Sequence, residues 1–148
     1  MRIGKGVTPE RKTSMEIKEY TEYNEDDIKK LYSEVGWYAY TEDMSALMNG
    51  YKNSLLVLAA YENEDLVGII RVVGDGSTII FVQDILVFPE KQRQGVGTAL
   101  LQAVLKRYAN VRQIELVTDN TEKTIAFYKS LGFRELTELG CCGFMRCP

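Results

Sequence analysis

Residues 78–118 constrain the fold more than any other part of the chain. They run as an apolar stretch to Val87, a polar turn opened by Pro89, a helical stretch over 95–108, and a second strand over 113–118. In the helical part Val96, Leu100 and Val104, and beside them Ala99 and Ala103, recur at helical spacing. Two neighbouring strands joined through a helix run parallel, and the crossover of such a unit is right-handed. The strands containing Leu86 and Leu116 are therefore expected side by side.

The rest of the chain builds around that unit. Residues 55–61, 66–73 and 78–87 are apolar runs separated by a polar turn over 62–65 and by Gly74-Asp75-Gly76, which reads as an antiparallel meander. Upstream, residues 16–20 are strand-like. Asn24 can cap a helix carrying Ile28, Leu31, Tyr32 and Val35 on one face, and Thr41 a short helix with Met44, Leu47 and Met48. Downstream, a last helix over 122–131 stops at Gly132 and leaves 133–146 for one or two closing strands. The expected fold class is α/β (α+β): a central mixed, mostly antiparallel sheet with one parallel strand pair and helices on both faces.

A chain of 148 residues is enough for one core and short for two. Residues 1–14 are basic, contain Gly4, Gly6 and Pro9, and show no period, so they read as an N-terminal extension before a single domain over 15–148. Eighteen Lys and Arg stand against 21 Asp and Glu, a net charge of -3. With no diffuse basic field, neither nucleic acid nor an anionic membrane is an expected partner. The apolar run 55–61 is far short of a membrane span and no signal pattern opens the chain, so cytoplasm is the expected compartment. The three cysteines, Cys141, Cys142 and Cys147, lack the spacing of a zinc site and read as reduced thiols. Histidine is absent, which excludes Ser-His-Asp and Cys-His mechanisms and any histidine metal site; no metal is expected.

The turn over 88–98 carries the chemistry. A helix start exposes unpaired N–H groups at the positive end of the peptide dipoles, and glycine lets a phosphate approach the backbone. Charge-assisted hydrogen bonds contribute roughly 1.5–3 kcal/mol each, so three or four amides with Arg93 or Lys91 suffice for the ~8 kcal/mol of micromolar binding. A dinucleotide fingerprint would need Gly or Ala where Leu100 stands, and a P-loop would need Gly-Lys-Ser or Gly-Lys-Thr. The remaining alternative is a tight strand-to-helix turn with no ligand.

On these residues the chain resembles the GNAT superfamily of acetyl-CoA-dependent N-acetyltransferases. The family motif of Gln or Arg, two residues, Gly, one residue, Gly or Ala is met by Gln92-Arg93-Gln94-Gly95-Val96-Gly97, directly after Asp84-Ile85-Leu86-Val87-Phe88-Pro89. The stretch Ala126-Phe127-Tyr128-Lys129-Ser130-Leu131-Gly132-Phe133 is similar to the family's second characteristic segment. The resemblance spans most of residues 16–146.

It implies a GNAT-like sheet whose parallel pair splays to admit the pantetheine arm of acetyl-CoA. Backbone groups of Leu86 and Val87 would bond the pantetheine, and amides of Gln94, Gly95, Val96, Gly97 and Thr98 the pyrophosphate, with Gln92 and Arg93 in the same turn and Phe127 among the coenzyme contacts. Asn120 would anchor the pantetheine; alternatively, Asn120 or Thr121 caps the following helix. Tyr128 would lie beside the coenzyme sulfur as general acid. Its ordinary pKa near 10 exceeds the ~8.5 of a thiol, which favours hydrogen-bond stabilisation over full proton transfer; the plainer reading packs it on the helix face. Gln83 and Asp84 interrupt an apolar strand, alternation puts them on opposite faces, and Asp84 is the candidate base acting through water. Trp37, Tyr38 and Tyr40 would line the acceptor side, or pack on the sheet. The implied reaction is acetyl transfer from acetyl-CoA to a primary amine of a small molecule or a protein or peptide, by direct attack in a ternary complex, with a homodimer left open. A non-catalytic acyl-CoA-binding or regulatory module of the same fold is the alternative.

Overall fold

The computed structural model describes residues 14–148. Apart from Ser14, the extension expected at the N-terminus lies outside the described residues. One sheet holds five strands in chain order: β1 Met15–Glu19, β2 Leu56–Glu62, β3 Asp65–Gly74, β4 Ile79–Val87 and β5 Gln113–Leu116. Neighbours from β1 to β4 are antiparallel, and β4 and β5 are parallel, as a helical crossover requires. The turn between β3 and β4 is built on the Asp75 carboxylate. It accepts hydrogen bonds from the Thr78 hydroxyl and from the N–H groups of Ser77, Thr78 and Ile79. Those donors, the Thr78 hydroxyl first, hold its pKa well below the usual carboxylate range.

Helices cover both faces. On one side α1 Glu25–Glu34, α2 Tyr38–Thr41 and α3 Met44–Lys52 bring Ile28, Leu31, Tyr32, Leu47 and Tyr51 against Val57, Ala59, Ile69 and Leu86. On the other, α4 Val96–Arg107 and α5 Glu122–Ser130 bring Val96, Leu100, Val104 and Tyr128 against Leu58, Ile70, Val72 and Ile80. This is why β2 and β3 read as nearly continuous apolar runs: both faces of each strand are buried. Each fully buried aliphatic side chain contributes roughly 1.5–3 kcal/mol. Gly68 lets α4 approach β3, since a Cβ there would meet Leu86 O and Val96 Cγ1 at 3.0 Å. That approach fixes the N-terminus of α4 beside the end of β4.

Asn24 caps α1 as expected, accepting from Asp27 N–H at 3.0 Å. Three expectations need correction. The cap of α3 is Asp43, which accepts from Ala46 N–H at 2.9 Å, whereas Thr41 closes the preceding single turn by donating to Tyr38 O. Strand β5 stops at Leu116, two residues before Thr118. The closing strands over 133–146 do not form among the described residues. A 3-10 turn over Leu136–Leu139 ends at left-handed Gly140, Cys141 N–H bonds back to Leu136 O at 2.8 Å, and residues 141–148 are exposed.

Candidate functional site

Strand β4 does not keep its alternation. Arg71 pairs with Asp84 while Val72 pairs with Val82, so Gln83 is an extra, bulged residue. The bulge changes the parity of the strand: Ile80 and Val82 face α4, and so do Ile85 and Val87, three and five residues beyond Val82. Asp84 and Gln83 therefore both reach the α1–α3 side. Gln83 Nε2 donates to the Tyr40 hydroxyl at 3.3 Å, and Asp84 Oδ2 accepts from the Tyr32 hydroxyl at 2.8 Å. Opposite faces, the outcome of simple alternation, are not observed.

The parallel ladder ends at the same place. Val82 with Leu116 is the last pair between β4 and β5, one residue before the bulge. Beyond it the strands separate around a cleft of about 320 Å³ lined by Trp37, Val82, Gln83, Ile85, Leu116, Val117, Thr118, Asp119 and Tyr128. Peptide groups of β4 face this gap in alternation. Phe88 N–H bonds Val67 O at 3.0 Å across the antiparallel pair, which puts Phe88, Leu86 and Asp84 in the positions bonded to β3 and leaves Val87 and Ile85 facing the gap. The Leu86 peptide thus points at β3, and the expectation that it faces a ligand passes to Ile85. Val87 O on the open side already accepts from Gln92 Nε2 at 3.0 Å, so Gln92 ties the turn to the strand end.

The turn itself runs through a 3-10 segment, Pro89–Lys91, to left-handed Arg93 (φ 64) and Gly95 (φ 84). Gly95 is the N-cap of α4, and the first helical bond is Ala99 N–H to Gly95 O at 3.0 Å. The N–H groups of Val96, Gly97 and Thr98 precede that ladder. No acidic residue sits in the first turn to compete for them. A Cβ on Gly97 would lie 3.8–3.9 Å from Val87 Cγ2, Ile85 Cδ1 and Phe127 Cζ, so Gly97 faces the same gap as the open peptides. Lys91 is committed to Glu62, at 2.6 Å, while Arg93 makes no ion pair among the described residues. Gln94 Nε2 donates to Glu90 O and braces the turn.

Helix α5 brings Tyr128 to the cleft, packed edge-on against Phe127 and Phe133. It is 9% exposed, and burial, opposed by the neighbouring Thr118 hydroxyl, raises its pKa above the ordinary tyrosine value. It is a neutral donor. Thr121 is the N-cap of α5, accepting from Thr124 N–H, so Asn120, one residue earlier and exposed, is free of capping.

Behind β4, Asp84 is 1% exposed. Its Oδ2 accepts from Arg71 Nε at 2.7 Å and from Tyr32, and Tyr32 shares a 3.0 Å hydrogen bond with Tyr51. Its Oδ1 has no hydrogen-bond partner among the described residues. Burial and the negative charge of Asp84 both raise the pKa of Tyr40, whose ring stacks on Trp37 at the cleft wall.

Comparison with known proteins decides the family. The family model described as Acetyltransferase (GNAT) domain matches residues 53–135, and an acetyltransferase of the GNAT family from Streptococcus pneumoniae TIGR4 is 35% identical. That structure superposes with a TM-score of 0.82 over 91% of this chain and 98% of its own. The chain belongs to the GNAT acetyltransferase family. An uncharacterized N-acetyltransferase, ycf52, from Gracilaria tenuistipitata var. liui is 30% identical over 111 residues, 72% of this chain and 60% of the relative. The chain spans only 50–60% of the length of the first curated relatives it matches. The PaiA N-acetyltransferase from Thermoplasma acidophilum, solved in complex with coenzyme A, shares the fold at 18% identity, with a TM-score of 0.65 over 82% of this chain and 90% of its own.

Within this GNAT domain the sequence-expected residues fall in three places. Val87, Gly97, Phe127 and Tyr128 meet at the gap with the amides of Val96 and Thr98; Gln92, Arg93, Gln94 and Gly95 shape the turn that presents those amides. Asn120 stands just before α5, and Asp84 lies behind the sheet. Sequence reasoning missed Ile85 and Asp119 in the cleft wall. Counting two residues back from Val87 would have found Ile85, and Asp119 is an acid three residues past the end of β5.

Proposed function

We propose that this GNAT protein transfers an acetyl group from acetyl-CoA to a primary amine of a small molecule, protein or peptide, by direct attack in a ternary complex. The observation that carries the reading is the unpaired half of β4 running straight into the N-terminus of α4. Among the described residues, Ile85 and Val87 offer peptide groups with no strand beside them, and Val96, Gly97 and Thr98 offer N–H groups with no helical acceptor. An extended polar arm ending in a diphosphate fits both, the arm replacing the missing strand and the diphosphate meeting the helix dipole.

Bound acetyl-CoA supplies a thioester; the neutral amine nitrogen forms the C–N bond, the C–S bond breaks, and the proton that the nitrogen loses on becoming an amide passes through solvent to the departing thiolate. Tyr128 donates a hydrogen bond to that sulfur. Its raised pKa makes full proton transfer to a thiolate uphill, so stabilisation of developing charge is its larger contribution. Trp37 and Tyr40 form the acceptor side, and Asp84, too buried to touch an amine, acts on it through Tyr40 and Gln83 as a positioning residue. An α-amine of pKa near 8 costs about 1.4 kcal/mol to deprotonate at neutral pH, against roughly 4.6 for a lysine side chain, so a weak relay suits the former.

The test is thermal unfolding with acetyl-CoA, followed by thiol release with a panel of amines. The expected result is a raised midpoint and thiol release with at least one amine, both abolished by Gly97→Val. Stabilisation without thiol release would give the protein the role of an acyl-CoA-binding module, and neither effect at millimolar coenzyme would overturn the reading.

A further inference from the structure

The charge in the cleft is of one sign. Among the described residues that line it, Asp119 is the only carboxylate, no Lys or Arg is present, and the one other titratable group is Tyr128, a neutral donor. Asp119 stands exposed on the loop from β5 to α5, where its carbonyl oxygen accepts from Thr121 N–H at 2.9 Å. Its side chain makes no ion pair among the described residues. After burial, and against the Thr118 hydroxyl, its negative charge is the remaining cause that raises the pKa of Tyr128. The carboxylate therefore acts on the hydroxyl that meets the coenzyme sulfur, close to where an attacking amine has to arrive. Trp37 belongs to the same lining, 38% exposed and stacked on Tyr40 at 5.9 Å. An indole face attracts a cation and offers an anion nothing. The nearby cations are engaged elsewhere: Arg71 with Asp84 behind β4 and Lys91 with Glu62, while Arg93 lies in the turn before α4, at the diphosphate end. An acceptor carboxylate would thus meet Asp119 and no opposite charge.

We infer that Asp119 and Trp37 select a small acceptor whose amine docks as a cation and whose adjoining carbon carries no carboxylate, so that free amino acids are refused. The inference rests on the acetyl-transfer reading and names the substrate class for that cleft. Docked against Asp119, the ammonium group gives one proton to solvent and attacks as the neutral amine. A negative neighbour favours the protonated form, so the acceptor deprotonates at higher pH in the cleft than it would there without Asp119.

Thiol release from acetyl-CoA by the full chain tests this with acceptor pairs that differ by one carboxylate: 3-methylbutylamine against leucine, and cadaverine against lysine, with leucinamide as the uncharged control. The expected kcat/KM favours each amine over its amino acid about tenfold, with leucinamide on the side of the amines. Asp119→Asn should lower kcat/KM for the amines roughly fivefold, mainly through KM, and reduce the preference to about twofold. In the same variant the rising limb of kcat against pH should move to lower pH, a change that a purely structural role would not produce. Asp119→Glu should restore the preference, and unchanged coenzyme affinity shows that the variants fold. Amino acids used as well as their amines would overturn the inference, as would a preference or a pH limb that Asp119→Asn leaves in place. Thiol release with none of the acceptors would instead overturn the acetyl-transfer reading beneath it.

Discussion

The two halves of β4 live in different surroundings. Ile79 to Val82 is flanked by β3 and β5, while Asp84 to Val87 is flanked, among the described residues, by β3 alone, and the bulged Gln83 separates them. The flanked half carries only Ile79, Ile80, Phe81 and Val82; the open half begins with a buried charge and ends at the helix-opening turn. A sheet left unzipped ordinarily exposes peptide groups that cost free energy unless water or a ligand meets them. Here the open half is held straight from behind by the Asp84, Arg71 and Tyr32 bonds and at its end by the Gln92 side chain, so it stays extended without a fifth strand beside it.

The largest effect should come from removing what holds the open half. Asp84→Ala leaves Arg71, 7% exposed, as an unpaired buried charge, and about 3–5 kcal/mol of stability should be lost in denaturant unfolding. A smaller loss would mean that water solvates Arg71. Deleting Gln83 is the sharper test. Without it Val82, Asp84 and Ile85 alternate as in a regular strand, so the protein should stay folded, β5 should zip further, and coenzyme affinity should fall roughly a hundredfold, about 2.7 kcal/mol. Unchanged affinity would show that the splay does not depend on the bulge.

Tyr128→Phe should lower the acetyl-transfer rate about a hundredfold with little change in coenzyme affinity. Because burial raises the Tyr128 pKa, the phenol keeps its proton up to and beyond the ordinary value near 10 and loses it only above. The wild-type rate should therefore rise with pH as the acceptor amine deprotonates, with no fall assignable to Tyr128 below pH 10. The smallest effects separate the two residues before α5. Thr121→Ala should cost about 1 kcal/mol of stability and leave coenzyme affinity alone, whereas Asn120→Ala should weaken coenzyme binding with stability unchanged.

Much of this was legible in the sequence. Apolar runs separated by turn residues gave the meander, and a strand, helix, strand order dictated the parallel pair. The glycines at 95 and 97 marked a helix start that approaches something closely. The bulge was harder, because one extra residue changes parity without interrupting an apolar run; the trace it leaves is that Val82 and Ile85 are odd-spaced yet share a face. One of the two partners of Asp84 was out of reach, since Tyr32 lies 52 positions away and only the packing of α1 on the sheet brings it there. Thr41 and Asp43 are both good caps two residues apart, and local chemistry does not choose between them. The closing strands failed because residues 135–141 bond locally around Gly140 instead of to an edge.

Residue-resolved amide shifts on titration with coenzyme A probe the open half most directly. The peptide groups of Ile85 and Val87 and the N–H groups of Val96, Gly97 and Thr98 should shift together and saturate at one affinity, while Ile80 and Val82 in the flanked half stay still. Binding that shifts the flanked half or another surface and leaves those five residues unmoved would contradict the account.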